Sequence, residues 1–231
     1  MARRSFLILA FALAFAVFIV MPPLLGWSFP PYPLLNWGNI LDLFTPLVVI
    51  PLYWLLFREA TGAQQGKIHI IAFILLAALW VEGQGMHLSA NSIAGLLGTQ
   101  SGTVRDLAHF YDEVLSHYLW HVAIMGLSVL LMLSARVSST ASDVRWALVA
   151  PSAILYGLTY FLAVNEGGTV PLGLPAAVLI PLWVIISKRQ IVRTHDLVAF
   201  FTAGYGVAII LFLGWYVYWG GFPQFSEVGL L

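Results

Sequence analysis

Long apolar runs alternate with short polar connections along the chain, and this pattern decides the predicted architecture. Seven runs approach the length of about 20 residues that a membrane-spanning helix needs. They cover residues 6–26, 40–57, 68–93, 107–134, 146–164, 172–187 and 196–219. The runs are unbroken and lack a period of two, so helices are favoured over barrel strands. The chain is predicted to be an all-α polytopic membrane helical bundle, a single transmembrane domain over residues 1–231.

Basic residues are distributed unevenly among the predicted connections. When the connections alternate across the bilayer, one side receives Arg3, Arg4, Arg58, Lys67, Arg136, Arg145, Lys188, Arg189 and Arg193, and the other receives only Arg105. The positive-inside rule then predicts a cytoplasmic N-terminus and a C-terminus outside. The first run is followed by Met21 and two prolines rather than by a small-residue cleavage site, so we expect it to remain as a helix.

Composition agrees with lipid as the main solvent. The chain is 61% hydrophobic and 9% charged, with a mean hydropathy of +0.92, whereas soluble chains carry about 25% charged residues. Ten basic residues balance ten acidic ones, which disfavours nucleic-acid binding. The absence of cysteine excludes disulfides, thiolate catalysis, iron–sulfur clusters and cysteine-type zinc sites. We expect a multi-pass protein of the cell membrane, with a bacterial or archaeal plasma membrane favoured.

Four ionisable residues recur along the fourth run at intervals of four. They are His109, Glu113, His117 and His121, and neighbours at this spacing share one face of an α-helix. His117 and His121 have the spacing of paired imidazoles in helical zinc sites. Asp112 points about 100° away from Glu113 on a regular helix, so we do not expect the two to bind one ion.

The third run is expected to add ligands from a neighbouring helix. The connection between the third and fourth runs is short, so the two helices are predicted to be antiparallel neighbours. Glu82 and His87 are then expected to face the stripe of the fourth run. The predicted metal ligands are His87, His109, His117 and His121, and the predicted catalytic acids or bases are Glu82 and Glu113.

Further polar residues are expected in supporting roles in the same, outer half of the bundle. Asn91 ends the third run, Asp42 begins the second, and Glu166 ends the fifth. Each also has a simpler interpretation: a carboxylate near a helix N-terminus is favoured by the helix dipole, and an outer loop holds a solvated glutamate without difficulty.

The leading hypothesis is a metal-dependent membrane hydrolase, with zinc the favoured ion and a lipid or other small apolar molecule as substrate. Three histidines plus a water form a catalytic zinc arrangement, and zinc lowers the pKa of that water. One alternative is a copper or non-haem iron oxidoreductase, or a metal- or haem-binding subunit of a larger membrane complex. Another is a proton or divalent-cation transporter. A purely structural polar network is a further, less favoured interpretation of these residues.

The plan of seven spans, a cytoplasmic N-terminus and a histidine-based site resembles that of adiponectin-receptor-like and alkaline-ceramidase-like transmembrane hydrolases. In that superfamily the H-x-x-x-H pair belongs to the last span. Here the pair, His117 and His121, lies in the fourth span, and no functional residue is carried over. The resemblance implies only that hydrolysis of a lipid amide or ester suits this plan.

Overall fold

The computed structural model describes residues 2–62, 66–98, 101–135 and 144–230. It is all-α, with 83% of its residues helical, and seven of its helical segments are long and apolar enough to span a membrane. Six of these segments are single helices: α1 (Ala2–Val20), α2 (Trp37–Thr61), α3 (Lys67–Leu97), α6 (Trp146–Glu166), α7 (Val170–Ser187) and α9 (Asp196–Trp219). The fourth segment along the chain is composite and consists of α4 (Thr103–His109), a π-helical segment (Phe110–Leu115) and α5 (Ser116–Ser134). A short helix, α8 (Arg189–Thr194), lies between α7 and α9. The predicted all-α class is confirmed, and the seven long apolar helices agree in number with the predicted runs.

The largest differences from the predicted bounds lie around the first connection. α1 ends at Val20, and Pro22–Leu24 form a single 3₁₀ turn, because proline has no N–H to continue an α-helix. A small antiparallel hairpin of β1 (Ser28–Phe29) and β2 (Tyr32–Asn36) follows.

The start of α2 lies earlier than predicted because its first turn has a capping box. The Asn36 side chain accepts a hydrogen bond of 2.7 Å from the Asn39 N–H, and the Asn39 side chain accepts one of 3.0 Å from the Asn36 N–H. Two N–H groups that a helix start leaves unpaired are thereby satisfied. The short run at 40–57 therefore extends in both directions, to Trp37–Thr61.

Glycines let the principal helix pairs approach closely. α3 packs along α5, and a side chain at Gly83 would place its Cβ 2.8 Å from the Ser116 carbonyl oxygen. α6 packs along α9, and a Cβ at Gly157 would lie 2.3 Å from the Gly204 carbonyl oxygen. Small residues at such crossings are typical of membrane helix packing. The α3–α5 contact matters most here, because both helices carry predicted site residues.

The predicted basic side corresponds to one end of the bundle, which we call the basic end. The Asp196 carboxylate accepts hydrogen bonds from the Ser5 hydroxyl at 2.5 Å and from the Arg145 N–H at 3.2 Å. Lys188 Nζ donates to the Leu133 carbonyl at 3.0 Å. These contacts bring the starts of α1, α6 and α9 together with the ends of α5 and α7. Arg136 lies outside the described residues.

Candidate functional site

A cavity of about 510 Å³ opens at the end of the bundle opposite the basic end. We call it the polar cavity. Its polar lining residues are Asn36, Asn39, Asp42, Gln84, His87, Asn91, Glu113, His117 and Glu166. Its apolar walls include Ile19, Val20, Leu24, Leu162, Phe225 and Leu230. Acid–base groups and an apolar surface therefore meet in one space.

The π-helical segment breaks the stripe predicted along the fourth span. A π-turn holds more residues than an α-turn, so residues on its two sides are rotated relative to a regular helix. His109, before the segment, is exposed and does not line the cavity. Glu113, within it, is half-buried and lines the cavity, while His117 and His121, after it, are buried. The expectation that all four residues share one face assumed a regular α-helix and is wrong.

Asp112 is brought into the site by its contact with α3. The Asp112 Oδ1 lies 2.8 Å from the His87 Nδ1, and Asp112 is only 5% exposed. The two atoms are within ion-pair distance, and neither has any other polar partner among the described residues. His87 lines the cavity and Asp112 lies behind it. The sequence interpretation missed Asp112 because it considered only its angle to Glu113.

His117 lies beside His87, between the His87–Asp112 pair and His121. Its ring centroid lies 4.9 Å from that of His87, and its Nδ1 lies 3.1 Å from the Glu113 carbonyl oxygen. The Glu113 carboxylate is farther from the same nitrogen, at 3.8 Å. The imidazoles of His87 and His117 are therefore close enough for the charge of one to affect the other.

His121 lies deeper, outside the cavity lining. Its Nδ1 is 2.6 Å from the Thr169 hydroxyl oxygen, and its Nε2 is buried with no hydrogen-bond partner among the described residues. Its ring stacks at 6.1 Å on that of His117. A Cβ at Gly167 would lie 2.8 Å from its Cε1, so only glycine lets the end of α6 approach this close. Thr169 was also missed, since a lone threonine in a connection carries no sequence signal.

Asp42 is held by a chain of side-chain hydrogen bonds from α3. Its Oδ1 accepts a bond of 2.6 Å from Gln84 Nε2, and Gln84 Oε1 accepts one of 3.3 Å from the Trp80 indole N–H. Asp42 thus lines the cavity, as predicted for a supporting residue. Gln84 was not predicted, although a buried amide in a span needs a partner.

Glu166 and the C-terminal segment close another side of the cavity. Glu166 Oε2 accepts hydrogen bonds from the Phe225 N–H at 2.7 Å and the Ser226 N–H at 3.3 Å. Asn165 Nδ2 donates to the Pro223 carbonyl at 2.7 Å. The chain after α9 therefore folds back over the bundle, and Phe225 reaches the cavity. Glu166 lines the site, as predicted, but its carboxylate is engaged by backbone.

Glu82 does not belong to the cavity. It is exposed on α3 and does not line the cavity, whereas Gln84 and His87 do. Five residues separate Glu82 from His87, which corresponds to about 140° around an α-helix. The expectation that Glu82 and His87 share one stripe is therefore wrong. Asn91, one turn beyond His87, does line the cavity.

The arrangement of donors does not fit the predicted metal centre. Within residues 2–62, 66–98, 101–135 and 144–230, no three His, Asp or Glu side chains are placed to hold one ion. The Nδ1 atoms of His87, His117 and His121 each face a different oxygen, on Asp112, Glu113 and Thr169. The predicted three-histidine metal centre is therefore not found among the described residues.

No protein-family model, curated protein or solved structure matches this chain. The chemistry of the polar cavity is therefore the basis for assigning a function. Its described lining contains carboxylates, imidazoles and amides but no serine, threonine or cysteine. Among the lining imidazoles, His87 has the closest carboxylate, that of the buried Asp112, 2.8 Å from its Nδ1.

Proposed function

We propose that the polar cavity is the active site of a membrane-embedded hydrolase that uses general acid–base catalysis without a metal. Its substrate is an ester or amide of a lipid or a similar amphiphilic molecule. The observation that supports this proposal is the buried carboxylate of Asp112 behind His87, 2.8 Å from Nδ1. A base positioned by a second group behind it is a recurring arrangement in hydrolytic sites.

His87 acts as the base in this proposal. Its Nδ1 faces Asp112, which leaves Nε2 for a cavity water. Nε2 takes a proton as the water oxygen attacks the carbonyl carbon, and Asp112 stabilises the resulting imidazolium. The imidazolium then returns that proton to the leaving oxygen or nitrogen as its bond to carbon breaks. One water is consumed, and the products are an acid and an alcohol or amine.

Other lining residues have roles that follow from their chemistry. The Asn91 amide can donate to the carbonyl oxygen, where negative charge develops in the transition state. Glu113 and His117 lie beside His87 and modulate its protonation through their charge. Asp42 is engaged by Gln84, so it shapes the cavity and is not free to act as a base.

The size and walls of the cavity suit an amphiphilic substrate. A volume of about 510 Å³ lies within the range of about 300–1,000 Å³ typical of small-molecule sites. Ile19, Val20 and Leu24 form one apolar wall beside the carboxylates, and Phe225 and Leu230 form another. An acyl chain against these walls would leave its carbonyl group next to His87.

The test uses purified full-length protein in lipid nanodiscs and fluorogenic umbelliferyl esters of increasing acyl length. We expect hydrolysis that survives metal chelation, and a fall in kcat of about 10²–10⁴-fold in His87→Gln and in Asp112→Asn. Glu82→Gln and His109→Gln, on the same two spans but exposed, are matched controls and should keep wild-type rates. No turnover of any ester, or turnover abolished by chelation and restored by metal, would overturn the proposal.

A second candidate, proton-coupled transport, is favoured by buried hydroxyls between the cavity and the basic end. The Tyr205 hydroxyl lies 2.5 Å from the Ser128 hydroxyl, and the hydroxyls of Tyr53 and Tyr156 are buried without a hydrogen-bond partner among the described residues. Proton flux into proteoliposomes tests it, and Tyr205→Phe should reduce such flux. An impermeable vesicle would remove this candidate and leave the hydrolase proposal unaffected.

A further inference from the structure

A second cavity, of about 660 Å³, opens at the basic end between α1 and α2. We call it the α1–α2 groove. It is lined by Arg3, Phe6, Leu7 and Ala10 on α1, and by Leu55, Arg58, Glu59 and Gly62 on α2. Within each set the spacing is three or four residues at most steps, so each helix contributes one face. The groove lies at the opposite end of α1 from the polar cavity and takes no part in the chemistry proposed above.

The groove changes from charged to apolar along its length. Arg3 lies at the end of the groove nearest the chain's N-terminus. Ala10, seven residues later, lies about 10 Å farther along α1. Between them, Phe6 is 59% exposed and Leu55 on the facing helix is 41% exposed. A ligand that fits this surface is charged at one end and apolar at the other. A free inorganic anion would leave the apolar part uncovered.

The charged end has a surplus of positive charge. Arg3 Nε lies 3.8 Å from the Glu59 carboxylate, and Arg4 Nη2 donates to the Glu59 carbonyl at 3.5 Å. Arg58 makes no ion pair within the described part of the chain, and Glu59 is the one carboxylate that lines the groove. Two guanidinium groups, those of Arg3 and Arg58, therefore line the groove together with one carboxylate. Their planar N–H forks match the oxygens of a phosphate group.

We propose that the α1–α2 groove binds one anionic phospholipid. The phosphodiester lies between Arg3 and Arg58, and one acyl chain follows Phe6, Ala10 and Leu55 towards the middle of the bilayer. Basic pockets between membrane helices are known to accept anionic headgroups. The predicted orientation of the chain assigns this lipid to the cytoplasmic leaflet.

The experiment is a lipid titration of the full-length protein in detergent, read by native mass spectrometry. Phosphatidylglycerol should bind at least tenfold more tightly than phosphatidylcholine with the same acyl chains. The double variant Arg3→Gln/Arg58→Gln should remove this difference. The matched control, Arg189→Gln/Arg193→Gln, removes two arginines from α8 at the same end and should keep the difference. An equal loss in the control would show diffuse attraction and would overturn the site.

Two further arms separate a lipid from a bare anion. Inorganic phosphate and glycerophosphate, added at matched concentration, should fail to displace phosphatidylglycerol. The variant Ala10→Phe keeps the arginines but fills the apolar part, and it should weaken phosphatidylglycerol binding at least tenfold. Competition by free phosphate, or unchanged binding in Ala10→Phe, would contradict the proposal. Thermal unfolding of each variant in the same detergent confirms that it is folded.

Discussion

The two faces of α3 carry similar residues in different surroundings. The packed face presents Trp80, Gly83 and Gln84 to α2 and α5, and each of them is buried. The other face presents Glu82 and Gly85, only one or two residues away, and both are exposed. The comparison shows that the chemistry of a polar residue in a span depends on which neighbours satisfy it. Gln84 has Asp42 and Trp80 as partners, whereas Glu82 has no hydrogen bond or ion pair within the described residues.

The largest contrast is expected between the two glycines. Gly83→Leu should abolish the folded bundle or destabilise it by several kcal/mol, because even its Cβ would lie 2.8 Å from the Ser116 carbonyl oxygen. Gly85→Leu should be tolerated, since no atom of the described residues outside its own stretch of helix lies within 4 Å of a Cβ at that position. Thermal unfolding in nanodiscs measures both. Equal losses of stability would show that α3 does not pack on α5 through this face.

Adjacent polar residues should give effects of opposite sign. Glu82→Leu should stabilise the protein in a bilayer by up to about 2.5–3.5 kcal/mol, the insertion cost of a central charge. Gln84→Leu should destabilise it by about 1–3 kcal/mol, because Asp42 and the Trp80 indole N–H lose their partner. Equilibrium unfolding in nanodiscs of one lipid composition compares the two. If Glu82→Leu is the more damaging change, Glu82 has a partner on the exposed face.

A smaller effect should come from the end of the hydrogen-bond chain. Trp80→Phe keeps most of the buried ring but removes the N–H that donates to Gln84, at a cost of about 1 kcal/mol. The change should also alter cavity chemistry little, because Trp80 does not line the cavity. A shift in the unfolding midpoint with an unchanged KM would agree with this. A raised KM would indicate that Gln84 and Asp42 are positioned by the indole.

The smallest change tests the exposed face alone. Gly85→Ala should stabilise α3 by about 0.5–1 kcal/mol, because alanine favours a helix over glycine and the site is open. The same measurement on Gly83→Ala should give a loss. A gain at both positions would mean that α5 lies farther from α3 than described.

The helices were predictable because membrane spans need long apolar runs, which remain visible in one sequence. The ends were less so: Pro22 shortens the first run, while the pair Asn36 and Asn39 starts α2 before its run begins. A helix-ending proline and a capping box are both local sequence signals. A prediction based only on the length of hydrophobic runs does not take them into account.

The location of the candidate site in the bundle was predictable, but the list of residues that line it was predicted only in part. Asp42, His87, Glu113 and His117 were all predicted, and the structure brings them to one cavity. The grouping of Glu82 with His87 did not hold, since it required two residues 140° apart to share a face. The remaining omissions are tertiary in origin.

Those omissions depend on contacts between distant segments. The return of residues 220–230 over the cavity depends on Asn165 and Glu166, which bind the backbone around Phe225. Nearly every residue has the same backbone N–H donor and C=O acceptor. The sequence therefore does not show which backbone group a distant side chain will bind. Thr169 reaches His121 for a similar reason, through a turn of chain rather than a motif.

The π-helical segment Phe110–Leu115 has a consequence for chain length. A π-turn is equivalent to one residue inserted into an α-helix. Deleting a single residue there would restore a regular helix and rotate α4 and Asp112 by about 100° relative to α5, while His117 and His121 kept their places. The contact between Asp112 and His87 thus depends on the number of residues in the turn as much as on their identity. A one-residue deletion in this segment would therefore separate Asp112 from His87 even though both residues remain in the sequence.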